Sequence, residues 1–114
     1  MLKNLKFEEI KNAILGSKYE LSFVFISSQK IQELNRKYRN INKPTDILSF
    51  PLSKTTGEIF ICKTEAKKMM TEFDRKYENF LVFLFIHGCV HLKGFDHGDK
   101  MEKVEEKFRR KFKI

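Results

Sequence analysis

Little in this chain punctuates it. Five glycines and two prolines among 114 residues exclude long linkers and low-complexity tracts. Cysteine is scarce as well: Cys62 and Cys89 lie far apart, neither in a CxxC pair, which excludes a disulfide framework and predicts reduced, buried thiols. The longest apolar run, Phe80 to Ile86, is seven residues, well short of the ~18 that cross a bilayer. The first residues, Met1 to Glu9, lack the apolar core and cleavage site of a secretory leader. With 41% hydrophobic and 33% charged residues, the expectation is one globular cytoplasmic domain over 1–114, without a membrane.

Acidic residues are outnumbered. Lys and Arg total 23 against 15 Asp and Glu, a net charge of +8, and such a surplus attracts polyanions, nucleic acid above all. Its distribution is uneven. Between Gln29 and Thr45 stand Lys30, Arg36, Lys37, Arg39 and Lys43 with Glu33 as the lone acid. The tail from Asp99 interleaves both signs, as an ordinary solvated helix does. The first cluster is the better candidate for an anion-binding patch.

Apolar spacing gives the elements. Phe7, Ile10 and Ile14 share a helical face that ends near Gly16. Tyr19 to Ser27 is β-branched and aromatic and reads as a strand; Ser27 or Ser28 then caps a helix carrying Ile31, Leu34 and Tyr38. After a turn ending at Pro44 come a strand over Asp46 to Leu52, a loop from Ser53 to Gly57, and a strand over Glu58 to Cys62. Thr64 to Tyr77 is expected as one helix. Phe80 to Lys93, apolar nearly all round, reads as a buried helix stopped by Gly94. Met101, Val104, Phe108 and Phe112 mark the last helix. Early strands and later helices predict an α+β fold, a small mixed sheet of three to four strands backed by about five helices.

All three histidines fall within the segment His87 to His97. His87 and His91 are i, i+4 on the buried helix, so both imidazoles leave one face. Gly94 lets the chain double back and return His97 to the same point. Three neutral imidazoles suit Zn2+, with the fourth tetrahedral position open for water as in catalytic sites. The spacing H-x3-H-x2-G-x2-H is shared with the metzincin peptidases, but their general-base glutamate is replaced here by Gly88, which cannot take a proton.

His87-Gly88-x-x-His91-Leu92-x-Gly94-Phe95-Asp96-His97 resembles the H-G-x-L-H-L-x-G-[YF]-D-H signature of the YbeY family, bacterial endoribonucleases of ribosomal RNA maturation. Leu34-Asn35-x-x-Tyr38-Arg39, Lys43 to Pro51 and Gly57 to Cys62 are similar to two further family blocks. The resemblance implies one zinc ion on His87, His91 and His97, and Arg39 as the arginine needed for activity. It also implies single-stranded RNA as substrate and a role with the ribosomal small subunit, at the 3′ end of 16S rRNA and in ribosome quality control. The strand with which relatives open is not seen ahead of the first helix here, which points to a three-stranded sheet.

The residues themselves support phosphodiester chemistry. Charge builds on the phosphorus oxygens during cleavage, and a metal with one guanidinium answers it. The fork of Arg39 can hold two phosphate oxygens at once. Arg36, Lys37 and Lys43 are candidates to follow the RNA backbone. Asp96 either orients a ligand imidazole or shapes the turn beside it. Two other readings stand beside the nuclease: a ribosome-assembly factor with a structural zinc, and a metallopeptidase.

Overall fold

The computed structural model describes residues 6–114; residues 1–5, part of the segment read above for a leader, lie outside the described residues. Helix α1, Phe7–Leu15, buries Ile10 and Ile14 and carries Glu8 and Glu9 in its first turn, where the helix dipole favours them. Strand β1, Glu20–Phe25, alternates exposed and half-buried positions as a half-covered strand must. Helix α2, Ser28–Arg39, starts where the Lys30 amide donates to Ser27 Oγ at 3.1 Å and stops where Asn40 turns left-handed at φ 56°. A hairpin follows, β2 over Ile47–Pro51 and β3 over Thr56–Ile61. The remaining helices are α3, Lys63–Met69, α4, Tyr77–Leu92, and α5, Asp99–Lys111.

The described strands form one mixed sheet in the order β1-β3-β2. β3 pairs antiparallel with β2, Leu48 opposite Phe60, and parallel with β1, Phe23 opposite Ile59. A parallel pair needs a crossover, and α2 supplies it. Alternation along the strands then sorts side chains into two layers. Leu21, Phe23, Phe25, Ile47, Ile59 and Ile61 join the main core with α1 and α4. Leu48, Phe50, Phe60 and Cys62 meet Ile31 and Leu34 of α2 on the other face.

Helix α4 is the centre of this arrangement. Phe80, Leu81, Phe85, Ile86 and Val90 are at most 1% exposed, and each contributes roughly 1.5–3 kcal/mol by leaving water. Apolar residues on every side follow from neighbours on every side: the sheet, α1, α3 and α5. At 16 residues it does not span a bilayer, and no helix among the described residues is long and apolar enough to do so.

Two expectations need correction. The helix foreseen from Thr64 to Tyr77 breaks: α3 ends at Met69, a 3-10 turn covers Met70–Phe73, and Asp74 turns left-handed at φ 51°. The reversal brings Phe73 back onto Phe80 and Phe83, both at 5.3 Å between ring centroids, which a continuous helix would forbid. Periodicity hid the break because aspartate tolerates this conformation without a glycine or proline to announce it. Gly57 belongs to β3 rather than to the loop, paired with Pro51 on the last rung of the hairpin.

Candidate functional site

The histidine segment spans the end of α4 and the turn beyond it. Gly94 adopts φ 117°, which only glycine takes readily, and its amide donates to the His91 carbonyl at 3.0 Å to close the helix. The chain then doubles back as expected. The His97 ring lies with its centroid 5.3 Å from that of His87 and 5.9 Å from that of His91, nearly parallel to both.

Two of the rings are oriented by their Nδ1 atoms. His91 Nδ1 is 3.1 Å from the Phe95 carbonyl oxygen, which can only accept, so Nδ1 carries the hydrogen and Nε2 of the neutral ring keeps its lone pair. His87 Nδ1 lies 3.1 Å from both carboxylate oxygens of Glu105, with the same result. A carboxylate or carbonyl behind an imidazole is the usual support of a metal-ligating histidine. The donor set therefore fits a divalent metal: two rings with fixed Nε2 atoms, and a third beside them. Among the described residues no three metal-binding side chains already converge on a single point. His97 is the adjustable member, since it is exposed and no hydrogen bond among the described residues holds its ring.

Glu105 was not foreseen from the sequence. It is 4% exposed on α5 and also pairs with Arg109 Nη1 at 3.5 Å, while Arg109 Nη2 donates to Glu102 at 2.6 Å. The available signal was an acidic residue one turn after Met101 and three before Phe108, on the apolar face of its helix. Asp96, a candidate either for this role or for shaping the turn, is exposed, and among the described residues it bonds to neither neighbouring ring; the carboxylate behind His87 is that of Glu105.

A cleft of about 340 Å³ opens beside these groups, lined by Asp46, Ile47, Phe83, His87, His97 and Glu105. Burial pushes the Asp46 carboxyl up, opposed by nearby backbone amides and by His87, which pull it down. The Phe83 ring is flanked by the guanidinium groups of Arg75 and Arg109 at 4.5 and 5.3 Å.

Gly88 also has a packing reason. A Cβ there would stand 3.0 Å from Cδ1 of both Ile47 and Ile59. Helix and sheet pack closely at this position, so any larger residue beside His87 would push on these two side chains.

The expected RNA-facing cations are elsewhere. Arg39, Lys37 and Lys43 are exposed around the end of α2, and none lines the histidine cleft. Arg36 Nη1 donates to Asn42 Oδ1 at 3.3 Å. The connection runs through Asn35, buried on α2, whose amide donates to the Lys43 carbonyl and to Thr45 Oγ1, both at 3.0 Å. Thr45 in turn donates to the Ile47 carbonyl, fixing the loop between the cations and the cleft.

Comparison with known proteins gives a consistent answer. The family described as Endoribonuclease YbeY matches residues 2–113. An Endoribonuclease YbeY of Aliarcobacter butzleri is 37% identical, over 95% of this chain and 85% of that protein. One of Thermotoga maritima is 34% identical, over 99% and 77%. The solution structure of a Thermotoga maritima protein superposes with a TM-score of 0.68 at 32% identity, covering 97% of this chain and 78% of the other.

Proposed function

The chain belongs to the YbeY family of endoribonucleases, and from that premise we propose that it cuts single-stranded RNA in ribosomal RNA precursors, with Zn2+ held by His87, His91 and His97. The observation that carries this reading is the pair of Nδ1 hydrogen bonds, Glu105 to His87 and Phe95 to His91, which leaves two Nε2 lone pairs beside a third imidazole. Zinc bound there supplies Lewis acidity toward a phosphoryl oxygen.

The chain's own residues do the rest. Arg39 ends α2 exposed and without an acid partner among the described residues, so its fork is available for two phosphate oxygens. Lys37 and Lys43, with Arg36 behind them, form a positive approach for the backbone of the strand. Glu105 and the Phe95 carbonyl accept from Nδ1 of the two rings, which selects the tautomer whose Nε2 is the lone-pair nitrogen of the neutral imidazole. Asn35 and Thr45 tie the end of α2 to the start of β2, the strand whose Ile47 lines the cleft, and this link supports a joint role for Arg39 and the histidines. Within this reading the substrate is the 3′ end of 16S rRNA on the small subunit in the cytoplasm, where the same cut serves maturation and quality control.

The peptidase alternative lacks its base, since Gly88 stands where the peptidases carry glutamate and cannot take a proton. The decisive experiment incubates labelled single-stranded RNA with wild type and with Arg39→Ala purified in parallel. Cleavage by wild type alone is expected. Equal cleavage, or none by either, would turn the reading toward an assembly factor or toward an enzyme that works only on the ribosome.

A further inference from the structure

Helix α2 leaves part of the outer sheet face uncovered. Leu34, Tyr38, Phe50, Leu52, Glu58 and Phe60 surround a cleft of about 420 Å³ there. Tyr38 is 58% exposed and Leu52 63%, high for side chains of their size. The rings form a ladder: Tyr38 lies 5.3 Å from Phe50 at 70°, and Phe50 lies 6.2 Å from Phe60 at 73°. Phe50 and Phe60 are fixed by the sheet, so Tyr38 is an exposed ring on a rigid support.

The rim is cationic. Lys37 Nζ stands 5.2 Å from the centre of the Tyr38 ring, and Arg39 follows it on the helix. Between Gln29 and Thr45 five cations face a single acid, Glu33. Glu58, half-buried on the central strand, brings one carboxylate to the wall, without a side-chain partner among the described residues. An aromatic floor with a positive rim is the combination that holds unpaired nucleic acid strands, the ring stacking on a base and the cations taking the phosphate.

We propose that this cleft holds one unpaired base of the RNA, stacked on Tyr38 and flanked by a phosphate on Lys37 and Arg39. The inference rests on the RNA reading above and adds a base site to it. A carboxylate only accepts hydrogen bonds, so Glu58 favours a base that carries an exocyclic amine and disfavours the carbonyl that uracil presents in its place. The cleft and the histidines lie on opposite faces of the sheet. Ile47, at the start of edge strand β2, faces α4 and lines the histidine cleft. Phe50, roughly 10 Å further along at ~3.3 Å per residue, faces α2, so an RNA strand that reaches both passes round the β2 edge.

The test measures binding of labelled oligocytidine and oligouridine by fluorescence anisotropy at two salt concentrations, alongside cleavage and a melting curve for each variant. Wild type is expected to prefer oligocytidine. Tyr38→Ala should weaken oligocytidine binding about 5- to 100-fold with an unchanged salt slope, because the loss is stacking and not charge. Tyr38→Phe should stay near wild type, and Glu58→Gln should erase the preference for cytidine. If Tyr38→Ala and Glu58→Gln bind and cut as wild type does, the base site is overturned, the nuclease stands, and the cleft belongs to a protein partner. If wild type neither binds nor cuts RNA, both readings fall together.

Discussion

Glu105 faces His87 across the contact between α5 and α4, with both carboxylate oxygens 3.1 Å from Nδ1. A buried carboxylate in that position fixes which nitrogen is free, and it is held in turn by Arg109. Removing it should therefore act on metal affinity before it acts on anything else. Glu105→Ala is expected to weaken zinc binding about 10- to 100-fold. It should also cost about 1–3 kcal/mol of stability, since His87 loses its partner and Arg109 one of two. Glu105→Gln keeps an acceptor and should fall between. Competition against a chromogenic chelator, with urea unfolding in parallel, separates the two effects; wild-type zinc affinity in the alanine variant would refute the role.

His91→Ala should lower bound zinc well below one per chain. The ring it removes is oriented by the Phe95 carbonyl, and no other imidazole is at hand. Elemental analysis of the purified variant decides the matter, and an undiminished zinc content would mean that the ligand set is wrong.

Much of this arrangement was legible in the sequence. The i, i+4 spacing of His87 and His91 and the stop at Gly94 predicted the doubling back of His97, because both are local consequences of helix geometry. The all-round apolarity of α4 predicted its burial. The break at Asp74 was hidden, since it depends on Phe73 finding Phe80 and Phe83 in space. Glu105 was hidden for a related reason. Nothing local to α5 says that its one inward carboxylate meets an imidazole from a different helix. Strand order likewise follows from α2 crossing the sheet, which no spacing within a strand records.

Gly88→Glu, the change that would restore a peptidase motif, should destabilise the protein. Its Cβ would stand 3.0 Å from the terminal methyls of Ile47 and Ile59, which must shift to admit it, and overpacking of this kind costs about 1–3 kcal/mol. A melting curve is enough: a folded variant with a near-native midpoint would show that the helix can lift from the sheet.

Both cysteines should resist thiol reagents in the native protein and react fully once it is denatured. Cys62 and Cys89 are each 0% exposed. Burial pushes the Cys89 thiol up, so at neutral pH it is protonated, and only the thiolate is a nucleophile. Raising pH toward that elevated value, or unfolding the chain, should release the reactivity. Rapid labelling of the native protein near neutral pH would contradict this.

Helix α4 has one more consequence. His87 and His91 ride on a rod gripped from every side, and neither can retreat unless the core itself loosens. His97 stands beyond Gly94 on an exposed turn, outside that grip. In the proposed three-histidine site the two imidazoles of α4 are therefore the fixed members and His97 the adjustable one, and exchange of a bound ion is expected to follow the loop and not the stability of the protein.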